Sequence, residues 1–156
     1  MPAKNGAKQP APSSKRAYPA ERPYRQSVIL LVIGDVMCFL IFAYVGDASH
    51  NQFRGFASVL NILAISLPFL AGWFLAAPFL GLFRKELMTA PRAMAYRTAF
   101  AWIPAWVIAM ALWGIFFDQG IPPASFMIVA FLFNLVILEI WRWPFALNGL
   151  ARKRGG

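Results

Sequence analysis

Four long apolar runs separated by short polar stretches set the pattern of this chain. The first, Ser27–Val45, is broken by a single formal charge, Asp35. As a helix it reaches about 28 Å at ~1.5 Å per residue, close to the ~30 Å hydrocarbon thickness of a bilayer. Twelve of its residues are Leu, Ile, Val or Phe, each favouring insertion by roughly 0.3–0.6 kcal/mol, against about 3 kcal/mol for the aspartate. Insertion wins by a small margin, and the run predicts a spanning helix with a buried acid. The second run, Phe56–Phe83, carries no formal charge and exceeds the ~20 residues needed to span, so it predicts tilt, a kink or an overrun of the interface. Pro68 lies in its middle, where a missing backbone donor frees the carbonyl of Ala64 and favours a bend. A basic loop over Arg84–Arg97 precedes the third run, Thr98–Phe117, and the turn Asp118–Ala124 precedes the fourth, Ser125–Trp141. The expectation is an all-α integral membrane four-helix bundle, with spans at about 27–45, 56–83, 98–117 and 125–141 in a domain over 27–145.

Small residues recur four apart on two of these helices: Gly72 and Ala76, Ala77 and Gly81, and the ridge Ala101, Ala105, Ala109. That spacing lets membrane helices approach closely, so these positions are read as helix-packing residues.

Composition adds a sense of direction. At 60% hydrophobic and 13% charged, the chain is too apolar for an ordinary soluble domain. Lys and Arg number 15 against 6 Asp and Glu, but the bases fall in short pieces between apolar runs and form no contiguous face, so nucleic acid is not an expected partner. Fourteen of the fifteen lie in the two tails and the middle loop, leaving only Arg54 on the other side. By the positive-inside rule both termini are cytoplasmic, in the plasma membrane. Trp73, Trp102, Trp141 and Trp143 fall near the predicted inner boundary and read as an interfacial belt. Met1–Gln26, with five prolines and no apolar periodicity, reads as a disordered basic cytoplasmic tail. A cleaved signal peptide also starts basic, but the run that follows is too long and Val45–Ala48 is a poor cleavage site, so the first helix is expected to stay attached. Residues 146–156 form a second basic tail, and both tails are expected to associate with anionic lipid.

Candidate chemistry is sparse. Asp35 is the leading position, because ionisable residues within a membrane are expensive and face the bundle interior. Counted from the predicted inner ends of their helices, Asp35, Pro68 and Asn134 share a level and form an expected intramembrane polar cluster. Two readings compete: a protonated Asp35 bonded to Asn134 or to a backbone group, tying helices 1, 2 and 4 together, or a proton or cation site. Asp47, His50 and Asp118 share the outer face as a polar turn, but one histidine with two loop carboxylates has no ligand spacing, so no metal and no cofactor is expected. Glu139 and Arg142, three apart, read as an ion pair at the inner interface. Cys38, the single cysteine, excludes an intrachain disulfide. There is no phosphate loop, two-histidine motif or nucleophile elbow, so no catalytic residue is assigned.

Gly34-Asp35, the turn ending in His50, and the stretch Pro68-Phe69 through Gly72-Trp73-Phe74 to Pro78 and Gly81 resemble a prokaryotic multi-pass membrane family, that of domain of unknown function 3054. The likeness covers about Ser27 to Trp143. It implies a small four-helix bacterial or archaeal membrane protein and supplies no activity. Three functions remain in competition. The leading one is a non-enzymatic structural or accessory subunit of a membrane assembly, self-associating or bound to other subunits. The second is a small oligomeric transporter or channel using Asp35, and the third a membrane enzyme acting on lipid. Polar lining separates them, since helix 3 carries none beyond its start.

Overall fold

The computed structural model describes residues 23–50, 55–117, 120 and 122–155. Most of the predicted N-terminal tail, Arg54, Asp118 and the side chain of His50 lie outside the described residues. Four α-helices follow in order: α1 (Tyr24–His50), α2 (Phe56–Phe79), α3 (Pro91–Phe116) and α4 (Ala124–Gly155), with one 3-10 turn at Leu87–Thr89 between α2 and α3. All four are long and apolar enough to cross a membrane. Each helix packs on its chain neighbours, and α4 returns to α1, closing the ring.

The helix ends depart from the charge-free runs. Residues 91–97 were expected in a basic loop, yet they form the opening turns of α3. Pro91 starts that helix, where its missing donor costs nothing and its fixed φ fits. Met94 is buried while Arg92, Tyr96 and Arg97 are exposed, so an amphipathic segment carries the helix beyond the apolar run. The stretch 80–83 leaves α2 for a turn. At the far end, α4 runs through Arg142 and Pro144 to Gly155, where a second basic tail was expected.

Gly81 has a different role from the one its spacing suggested. Its φ of 69° places it in the left-handed region. Leu82 N–H donates to the carbonyl of Ala77 at 3.0 Å and Gly81 N–H to that of Pro78 at 3.0 Å, the crossed pair of bonds that closes a helix on a glycine. Gly81 therefore ends α2. Gly81→Ala is expected to lower stability by about 1–2 kcal/mol, the cost of a Cβ in this conformation, measured as an earlier midpoint on unfolding in mixed micelles.

The core is aromatic. Phe39 on α1 reaches Trp73 on α2 and Trp102 on α3, at 6.2 and 5.7 Å between ring centroids. Higher in the bundle, Phe42 meets Phe69 edge-on at 5.1 Å and Trp113 meets Phe126 at 4.8 Å. Trp73 and Trp102 are fully buried, so neither belongs to the interfacial belt in which the sequence put them. Trp102 Nε1 donates to the carbonyl of Phe131, 2.9 Å away, which satisfies its one polar atom inside the core. Trp143, by contrast, is half exposed.

Small residues let α2 and α3 come together. Gly72 is buried, and a Cβ built on it would strike the backbone carbonyl of Ala105. Ala101, Ala105 and Ala109 are all fully buried, as is Ala77, and Ala76 nearly so. Ala105 and Ala109 face Gly72 across the α2–α3 contact, the most extensive of the helix pairs.

Candidate functional site

A buried ion pair lies where the four helices converge. Asp35 on α1 and Arg142 on α4 are both fully buried. Arg142 Nε donates to Asp35 Oδ1 at 2.8 Å and Nη2 to Oδ2 at 2.5 Å, a two-pronged geometry that suits the planar guanidinium. From α2, Trp73 Nε1 donates to Oδ2 at 3.1 Å. The guanidinium carbon stands 4.8 Å from the centre of the Trp73 ring and 5.3 Å from that of Phe83. Met94 on α3 contributes its sulfur, 3.8 Å from Nη1. Both carboxylate oxygens are engaged, and the cation is enclosed by π faces and a polarisable sulfur.

The neighbouring residues fit this arrangement. Gly34 precedes the acid, and a Cβ there would lie within the ring of Trp141, which precedes the arginine. Trp141 Nε1 donates to the carbonyl of Leu31 at 3.4 Å. The dipeptides Gly34-Asp35 and Trp141-Arg142 therefore mesh as a unit: the glycine admits the indole, and the close approach brings acid to base.

The predicted cluster of Asp35, Asn134 and Pro68 does not assemble around the acid. Asn134 is fully buried, but its Nδ2 donates to the carbonyl of Ala130 one turn back on its own helix, at 2.9 Å. Pro68 is buried within α2. The level of Asp35 is met instead by Trp73, five residues beyond Pro68, and by Arg142, eight beyond Asn134. The predicted Glu139–Arg142 pair also fails to form. The guanidinium turns to α1, and Glu139 Oε1 is buried without a hydrogen-bond partner among the described residues. Thr98 Oγ1, Asn134 Oδ1 and Trp106 Nε1 share that condition.

On the opposite end of the bundle, Asp47 accepts a 2.6 Å bond from Asn61 Nδ2, joining the first hairpin. Asp118 and the His50 side chain, its predicted companions, lie outside the described residues. No group of three His, Cys, Asp or Glu placed to hold a metal occurs among the described residues. Cys38 is buried, with its thiol 3.6 Å from the carbonyl of Ile137.

Sequence reasoning missed Arg142 as the partner of Asp35, placed Trp73 in the interfacial belt and gave Met94 no role. A signal for the arginine was present. The fourth run is short for a span, and Trp143–Leu147 resumes the apolar pattern after it, so Arg142 interrupts a longer helix as Asp35 interrupts the first.

A family model described as protein of unknown function (DUF3054) matches residues 32–145. The chain belongs to that family, and both members of the ion pair lie inside the matched segment. Neither a curated protein nor a solved structure matches the chain. With its four spanning-length helices, this is a multi-pass membrane protein.

Proposed function

We propose that the protein is a non-enzymatic structural or accessory subunit of a membrane assembly, its bundle braced by the Asp35–Arg142 pair. One observation carries the reading: the acid that made transport attractive has both oxygens committed to Arg142 and Trp73 at zero exposure. An ion carrier needs its carboxylate open to a polar path. Among the described residues, the polar side-chain atoms buried on α3 are Thr98 Oγ1 and the indole nitrogens of the buried Trp102 and the half-buried Trp106, which gives little support to such a path.

The assembly sits in the plasma membrane of a prokaryote with both termini in the cytoplasm. Setting aside the buried Arg142, thirteen of the remaining fourteen bases fall on the side of the chain ends and the α2–α3 connection, which supports this orientation. Basic segments at both ends would rest against anionic lipid, and a second copy or another membrane subunit would cover part of the apolar outer face.

Orientation is checked with single cysteines in a Cys38→Ala background, treated with an impermeant thiol reagent on intact cells. Replacements at Ser49 should label, whereas those at Arg92 and Arg154 should label only after permeabilisation. The reverse pattern contradicts the orientation. The structural role is checked in proteoliposomes under an imposed proton or sodium gradient. Flux is expected to equal that of empty vesicles, and mild-detergent extraction from the native membrane should yield a stoichiometric companion or a homo-oligomer. Flux above background that disappears in Asp35→Asn/Arg142→Gln would overturn the structural reading in favour of transport.

A further inference from the structure

The start of α1, the α2–α3 connection and the end of α4 enclose a groove of about 690 Å³. Its lining changes character along α4. Ile140, Trp141 and Phe145 line the inner part, while Asn148, Arg152 and Lys153 line the outer part. From Trp141 to Arg152 the helix rises about 16 Å. The inner part adjoins the membrane-spanning core, because Trp141 bonds to Leu31 and covers Gly34. Lys85 adds a third cation across the mouth, and Glu86 is the one acid of the lining.

Both walls are held in place. Tyr24 donates its phenol to the carbonyl of Phe83 at 2.8 Å, pinning the start of α1 to the α2–α3 connection. On the other side, a Cβ on Gly149 would strike the carbonyl of Met88, so α4 lies tight against the 3-10 turn. Within that turn Leu87 and Met88 are buried beside Leu31, Met94 and Ala146. The groove is a feature of a packed end of the bundle and not a gap left by an exposed loop.

A basic mouth over an aromatic floor, between helices at the membrane boundary, suits one class of molecule. We propose that the groove holds a single anionic phospholipid, its phosphate at Arg152, Lys153 and Lys85 and one acyl chain along Trp141, Phe145 and Ile140. The segment preceding Tyr24 is a poor alternative occupant, since it carries Lys4, Lys8, Lys15, Arg16 and Arg22 against Glu21 and would meet a rim of its own sign. A zwitterionic lipid offers the same chain without the net charge that the rim complements.

The proposal stands apart from the assignment of a structural role, and it has its own test. The full chain is purified in mild detergent, supplied with dioleoyl phosphatidylglycerol or dioleoyl phosphatidylcholine, and examined by native mass spectrometry. One phosphatidylglycerol per chain should be retained, with a preference of about ten-fold or more over phosphatidylcholine. Lys85→Gln/Arg152→Gln/Lys153→Gln should remove the preference while the thermal midpoint without added lipid stays put, since none of these side chains supports the core. Leu30→Trp, which narrows the groove without changing charge, should weaken retention of phosphatidylglycerol at least several-fold. Lys4→Gln/Lys8→Gln/Lys15→Gln/Arg16→Gln should leave the bound lipid in place. Equal retention of the two lipids, full retention by the triple variant, or loss in the N-terminal variant would each overturn the proposal.

Discussion

Arg142→Met and Asp35→Leu, each made alone, should destabilise the bundle by roughly 3–5 kcal/mol, the range for removing one partner of a buried ion pair. The cost arises from the group left behind more than from the bond lost. In Arg142→Met the Asp35 carboxylate keeps only the Trp73 indole, a single donor for two oxygens. In Asp35→Leu the guanidinium remains among Trp73, Phe83 and Met94, where π faces and sulfur replace no part of a carboxylate. An unpaired charge at membrane depth costs about 3 kcal/mol by insertion scales, which agrees with the soluble-protein range. Arg142→Lys should recover little of the loss, because an ammonium cannot make the paired contacts through Nε and Nη2. Equilibrium unfolding in mixed micelles reads these losses directly. Asp35→Asn should also be destabilised, since it leaves the same cation unpaired. A neutral acid bonded to Asn134, one of the two readings open from the sequence, would instead tolerate the amide.

The second large effect is expected at Gly72. Its obstacle is the backbone carbonyl of Ala105, with the amide of Ala109 beside it. Backbone within a helix cannot step aside, so even Gly72→Ala must push α2 and α3 apart along their most extensive contact. A loss of about 1–3 kcal/mol is expected for alanine, the usual scale for overpacking, and Gly72→Leu should prevent a stable bundle from forming. Gly34→Ala offers the comparison. Its Cβ meets the indole of Trp141, a side chain, so Gly34→Ala should be rescued in part by Trp141→Ala, whereas Gly72→Ala has no side-chain rescue. Equal stability of Gly72→Ala and the wild type would show that the two helices are not packed as tightly as the structure has them.

Much of this architecture was legible in the order of residues. The four apolar runs mark the four helices, and the alanines four apart on α3 are all buried, in keeping with the need for small side chains where membrane helices pack closely. The ends were less legible. A run of uncharged residues reports where lipid is, not where hydrogen bonding stops, so α3 begins seven residues before Thr98 and α4 continues well past Trp141. The same confusion hid the site. Arg142 was counted as a boundary charge, which moved the apparent level of α4 by two turns and put Asn134 opposite Asp35. Trp73 reads as interfacial because tryptophan is common there, but it shares the buried face of α2 with Phe69, Gly72 and Ala76. Gly81 shows the limit of spacing as a guide. A glycine four residues after an alanine looks like a packing site, and only the backbone reveals that it closes the helix.

The central claim is that Asp35 and Arg142 act on each other and through that contact hold α1 to α4. A double-mutant cycle tests it most directly. Unfolding free energies are measured in mixed micelles for the wild type, Asp35→Leu, Arg142→Met and the combined variant. Since exchanging both charges for apolar groups of similar size is often neutral or stabilising, the combined variant should stand within about 1 kcal/mol of the wild type, giving a coupling of several kcal/mol between the sites. Losses that simply add, leaving the double variant the least stable of the four, would contradict the account.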